Sequence, residues 1–175
     1  MSDIPVRLAQ LLPLIQERLD AGESVQITPH GISMRPMIVD GRDEVVLSPL
    51  PEKLKKYDLP LYRRDNGQFV LHRIVKAGQT YTCVGDNQLI YETGVRQDQM
   101  IALATALYRN GRYYSLDGFG YKLYGRLWHW TRPLRRAVHW CRNIFRAIIR
   151  RLKRAFGRNK GSASIAEKEP KQNKP

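Results

Sequence analysis

Cysteine is scarce in this 175-residue chain, which has two, Cys83 and Cys141, in segments of different character. That excludes a disulfide-stapled scaffold, gives a zinc site no cysteine pair to start from, and suits a reducing compartment. No cofactor and no metal is expected. Long apolar runs are missing as well: no stretch reaches the roughly 18 uncharged apolar residues that a transmembrane helix requires. Leu8 to Ile15 is apolar, but Asp3 precedes it, Pro13 interrupts it, and Glu17 and Arg18 follow without a small-x-small cleavage site. The expectation is therefore neither a cleavable signal peptide nor a membrane span. The third absence is local. Residues 121–160 hold 13 basic side chains and no acidic one, whereas residues 1–120 hold 14 of each. The formal charge of +14 thus belongs to a cationic C-terminal segment on a neutral body, unlike a uniformly basic nucleic-acid binder.

What is present divides into four parts. The length suits one domain with a core, and 42% of the residues are hydrophobic. Residues 1–24 predict an N-terminal helix over 3–20 that packs on the core: Ile4, Leu8, Leu11, Leu12, Ile15 and Leu19 keep the helical period, Asp3 can cap the start and Gly22 can end it. Residues 25–117 predict a β domain with strands at 25–28, 44–47, 59–62, 69–75, 80–84, 102–108 and 112–115. Turn residues separate them, with Asp65-Asn66-Gly67 and Asn110-Gly111 as hairpin turns. Residues 118–158 predict a basic amphipathic helical segment, which Pro133 starts or kinks; Leu127, Leu134, Val138, Cys141, Phe145, Ile148, Leu152 and Phe156 form its apolar face. Residues 159–175 are small and polar and predict a disordered tail. The fold class is mainly β with helices at both ends.

Three segments carry candidate chemistry. Gly31-Ile32-Ser33-Met34-Arg35-Pro36 places a serine after a glycine that permits a sharp turn, and Pro36 stiffens the exit. A hydroxyl held there is exposed for attack, with a backbone N–H nearby for an oxyanion, but serine needs a base to become a nucleophile. His72, in Val70-Leu71-His72-Arg73-Ile74-Val75, is the candidate base; it shares a strand face with Val70 and Ile74. His30 is a second candidate, for which a local backbone contact is expected. Asp86, in Val84-Gly85-Asp86-Asn87, is the candidate acid, and after it no acid follows until Glu92. The order serine, histidine, aspartate recurs in hydrolases without being diagnostic.

Taken together, Gly-Ile-Ser-Met-Arg-Pro, Gly-Arg-Asp-Glu-Val-Val-Leu, Leu-His-Arg-Ile-Val and Tyr-Thr-Cys-Val-Gly-Asp-Asn resemble the signal peptidase and LexA-like serine peptidase superfamily over about residues 25–110. The resemblance implies a mostly β, partly coiled sheet fold and a nucleophile at Ser33. The histidine at position 72 resembles the Ser-His branch rather than the Ser-Lys one, with Asp86 as orienting acid. It further implies an oxyanion and substrate cleft formed by Ser33, Met34 and Gly31, and a substrate that is a leader or signal-like peptide with small residues at the cleavage site. Gly31 departs from members that place a serine hydroxyl two residues before the nucleophile, and the N-terminal membrane anchor usual in signal peptidases is absent from the pattern. The alternatives are a catalytically inactive peptide-binding adaptor and a LexA-like nucleic-acid-binding regulator.

For the basic segment the expected partner is an anionic membrane surface, met by Arg135, Arg136, Arg142, Phe145, Arg146, Ile149, Arg150 and Leu152. The expected location is peripheral, on the cytoplasmic face of a membrane, with a peptide or protein substrate; nucleic acid is not the expected partner.

Overall fold

The computed structural model of the chain describes residues 4–163, and side chains within 8–150 except those of residues 139 and 143. Asp3, expected as a cap, and residues 164–175 of the expected tail lie outside the described residues. Helix α1 (Ile4–Asp20) buries Ile15 and Leu19 and leaves Leu11 and Leu14 half exposed. It stops at Gly22, whose positive φ of 81° lets Gly22 and Glu23 donate back to the carbonyls of Leu19 and Arg18.

Nine strands follow: β1 (Val25–Ile27), β2 (Asp43–Ser48), β3 (Pro60–Arg63), β4 (Phe69–Leu71), β5 (Arg73–Lys76), β6 (Tyr81–Val84), β7 (Glu92–Val95), β8 (Met100–Arg109) and β9 (Arg112–Ser115). They form two antiparallel sheets. In the larger, the order is β1-β2-β8-β3-β4, with β9 also on β8. Strand β8 is its spine, pairing with β2 from Leu103 to Arg109, with β3 near Met100–Leu103 and with β9 from Ala106 to Arg109. Its buried face carries Ala102, Ala104 and Ala106, beside a core of Val45, Leu47, Leu59, Leu61 and Ile15. The smaller sheet, β5-β6-β7, covers a second core around Tyr62, Ile74, Cys83 and Met100. Both expected hairpin turns form, Gly67 and Asn110-Gly111 supplying the positive φ angles.

The structure departs from the sequence reading in four places. The expected strand 69–75 is two strands in different sheets, parted at His72. Strand β7 was not foreseen; it is short and contains Gly94, a residue that weakens a strand signal. The expected helical segment 118–158 is two helices, α2 (Phe119–Trp130) and α3 (Arg132–Ala163). The break falls at Thr131, and Pro133, which has no N–H to donate, sits in the first turn of α3. Helix α3 passes Gly157, so residues 159–163 are helical rather than part of a disordered tail.

The chain forms two compact units, Met1–Arg132 and Pro133–Pro175. The first therefore extends beyond the expected boundary at 117 and takes in α2. The reason is chemical: Tyr121 and Tyr124 of α2 bond to Arg73 and Asp86, which are otherwise sealed inside the first unit.

The loop between β1 and β2 is tied down at its far end by Asp43, whose side chain is fully buried. It accepts from Arg42, Arg109 and the Val39 amide. Burial alone raises its pKa, but these donors outweigh burial and hold the carboxyl well below the usual carboxylate range. Its contribution is thus present at neutral pH and is lost as pH falls through the lowered folded-state value. Asp43→Asn is expected to cost about 2–3 kcal/mol at pH 7, because both arginines keep some hydration when the partner goes. Urea unfolding from pH 7 to pH 2 should show the gap to the parent protein closing below about pH 4.

Candidate active site

Ser33 lies in the loop between β1 and β2. Gly31 turns the chain with a φ of 110°, and a single turn closed by Ile38 N–H to Met34 C=O follows the serine. The loop is held from behind by the turn after β6. The Asn87 amide donates to the Ser33 carbonyl at 2.8 Å, and the Asn87 side chain donates to the Ile32 carbonyl at 3.1 Å. Gly85 is the point of closest approach: a Cβ there would sit 2.6 Å from the Ser33 carbonyl oxygen and 3.1 Å from its Cβ. A side chain at 85 would displace the serine. Among the described residues neither the Ser33 hydroxyl nor its amide has a hydrogen-bond partner, so both are available to a ligand.

His72 stands at the crossing from β4 to β5. Register explains what it meets. Arg73 pairs with Val84, Ile74 with Cys83, and Cys83 with Glu92. Side chains opposite one another share a face, and side chains alternate along a strand. His72, Ile74, Cys83 and Glu92 are therefore on one face, and Arg73, Val84 and Asp86 on the other. His72, 1% exposed, places Nδ1 2.9 Å from Glu92 Oε1. The Tyr62 hydroxyl, whose hydrogen goes to Glu92, also lies 3.3 Å from Nδ1; both groups facing Nδ1 then accept, an arrangement that fits the tautomer with Nδ1 protonated and Nε2 basic. The β5–β6 ladder ends at the Arg73–Val84 pair; His72 is the residue just before that pair and Gly85, against which Ser33 packs, the residue just after it. Glu92 is itself held by the Tyr62 hydroxyl at 2.9 Å and by two donors of Arg64. Burial opposes its charge, but Arg64, Tyr62 and His72 prevail and lower its pKa. Burial lowers that of His72 below the ordinary 6.5, partly offset by Glu92.

Asp86, expected to orient His72, does not contact it. It is 3% exposed and forms a two-point pair with Arg73, at 2.9 and 2.8 Å. Helix α2 closes over this pair. Tyr121 accepts from Arg73, Tyr124 donates to Asp86, and Trp128 Nε1 donates to the Asp86 carbonyl at 2.8 Å. The acid on the histidine is Glu92. The signal that could have found it is face parity, which becomes usable only once β7 is recognised.

Ser33 borders a groove of about 830 Å³ whose walls include α1 through Leu11, β1 through Ile27, and β4 through Phe69. Met34 and Gly31 border it too, Met34 being 5% exposed and shared with the core. His30 also lines the groove, but its Nδ1 bonds to the Asp40 carboxylate at 2.9 Å, not to nearby backbone as expected. Cysteine chemistry is disfavoured at Cys83, where burial pushes the thiol up to about 12.

In the second unit, α3 presents Arg136, Arg142, Arg146, Arg150 and Phe145 to solvent, with Arg135 and Ile149 half-buried. The Leu152 side chain lies outside the described ones. No helix among the described residues is long and apolar enough to cross a membrane. Comparison of the chain with protein-family models, with curated proteins and with solved structures finds no match.

The two carboxylates separate in experiment. Asp86→Ala leaves Arg73 buried without its counter-ion and is expected to cost about 3–5 kcal/mol of stability, read by chemical denaturation. Glu92→Gln leaves a half-exposed Arg64 that water can serve, so melting should shift little.

Proposed function

We propose that the protein is a serine endopeptidase that cleaves leader or signal-like peptides while held at an anionic membrane surface. The observation that carries this reading is an unpaired serine hydroxyl at a peptide-sized groove, packed on the glycine just past the end of the β5–β6 ladder, with a buried histidine paired to a carboxylate just past the same end on the other strand. In the reaction the Ser33 oxygen attacks the peptide carbonyl carbon as His72 Nε2 takes its proton, and the Ser33 amide is placed to donate to the oxyanion. Collapse breaks the C–N bond, and the proton on Nε2 passes to the departing amine. Water then gives its proton to Nε2 and attacks the ester carbon; the C–O bond to the serine breaks as Nε2 returns that proton to the Ser33 oxygen, releasing the acid and regenerating both residues. Glu92 stabilises the imidazolium formed in each half. The fold expected from the signal-peptidase resemblance is compatible with the two-sheet architecture.

Membrane attachment is supported by α3. Leu134, Val138, Phe145 and Ile148 are 48–67% exposed, and arginines with no acidic neighbours occupy the rest of the helix. An apolar stripe beside cations suits an anionic lipid interface. A second reading, a peptide-binding adaptor without catalysis, is favoured by one observation: Ser33 and His72 share no hydrogen bond in the unliganded chain, although such bonds often tighten only when substrate is bound.

Incubation with pooled precursor peptides bearing Ala-x-Ala-like sites, on phosphatidylglycerol/phosphatidylcholine vesicles, tests both. Mass spectrometry should show cleavage by the parent protein and none by Ser33→Ala or His72→Ala. Peptide retention with no cleavage by any of them would select the adaptor, and binding to RNA in preference to the vesicles would remove the membrane role. The acid limb of kcat/KM should fall below pH 6.5, since burial keeps His72 neutral there. Glu92→Gln should cut kcat by roughly a hundred- to ten-thousand-fold. It should also move that limb further down, because the charge that favours the imidazolium is gone.

A further inference from the structure

We infer that Arg132, the first residue of α3, is a positioning residue for the serine centre; the inference rests on the Ser33–His72 reading. The segment from Gly85 to Glu92 does two tasks at once. Its start backs Ser33 through Gly85 and Asn87, and its end delivers Glu92 to His72. Between β6 and β7 it has no strand partner to hold it. Its support comes from the last turn of α2 and from the first residue of α3. Trp128 Nε1 donates to the Asp86 carbonyl, and Arg132 Nη2 donates to the Gly85 carbonyl at 2.9 Å and to the Gln88 carbonyl. The Arg132 guanidinium also lies 4.8 Å from the ring centre of Tyr91, the residue before Glu92.

Arg132 is 4% exposed, although it opens the most cationic helix of the chain. The Arg132 bonds to the Gly85 and Gln88 carbonyls both come from Nη2, and its buried Nε has no hydrogen-bond partner among the described residues, so the two carbonyl bonds are what offset the cost of burying this guanidinium. Two carbonyls on either side of the Asp86-Asn87 turn converge on one nitrogen. That closes the turn from outside while Gln88 N–H closes it from inside by bonding to the Gly85 carbonyl. Without this clamp the Asn87 amide loses its aim at the Ser33 carbonyl, and the serine drifts from His72. Lysine carries a single compact ammonium on a flexible stem and reproduces the clamp incompletely.

The test uses the full chain with Ser33→Cys and Cys141→Ser, in which the only other thiol is the buried Cys83. Iodoacetamide alkylation at position 33 across pH reports whether His72 holds the new thiol as a thiolate below its ordinary pKa of about 8.5. Amide exchange at Asn87 reports the turn without any catalysis. Arg132→Ala is expected to slow alkylation at pH 6.5 by about ten-fold and to speed Asn87 exchange, Arg132→Lys to fall between, and exposed Arg136→Ala to change neither. Alkylation at the parent rate in a folded Arg132→Ala chain overturns the inference, even if exchange quickens, since Arg132 would then only prop the turn. If the chain with Arg132 intact already alkylates like a free thiol, the Ser33–His72 pairing is what fails, and unchanged Asn87 exchange in Arg132→Ala would then overturn the clamp as well.

Discussion

The alternation of side chains along one strand, where the chain passes from the larger sheet to the smaller, governs the rest of the site. At that crossing His72 and Arg73 are neighbours in sequence and must face opposite ways. Each is buried, and each finds its own carboxylate on its own face, Glu92 for the histidine and Asp86 for the arginine. Exchange of the two acids would require a one-residue slip of β5 against β6. That slip would also turn Ile74 out of the second core, so the hydrophobic register protects the polar one.

The neutrality of the first 120 residues has a structural meaning. Asp43, Asp86 and Glu92 each hold an arginine, and those pairs fasten the loop that carries Ser33, the turn behind it and the histidine. Charge in this unit is spent on geometry. In α3, a helix without acids, Arg136, Arg142, Arg146 and Arg150 are exposed, and there charge is presented outward. One composition thus serves two purposes, divided near residue 132.

Much of the scaffold was legible in the sequence because it follows from local chemistry. The period of α1, its glycine stop and the two hairpin turns are written in the residues that form them. Ser33 and His72 were named from their motifs, and of the two only Ser33 packs on Gly85, while His72 pairs with Glu92. What was not legible depended on pairing. Strand β7 is too short and glycine-bearing to announce itself, so nothing tied Glu92 to His72, and the resemblance put Asp86 in the orienting position. The break at His72 leaves no mark in a run of good strand formers. The docking of α2 was hidden because its tyrosines resemble any interfacial aromatics until Arg73 is known to be buried beneath them.

The closure of α2 over the Arg73–Asp86 pair imposes a timetable on a chain made from its N-terminus. Every strand has been synthesised by Ser115, yet at that moment the guanidinium and its carboxylate still face water. Tyr121, Tyr124 and Trp128 emerge later, and Arg132 last of all. A ribosome-bound chain can therefore assemble its sheets while the turn behind its serine loop stays unclosed until translation has passed the start of the basic helix.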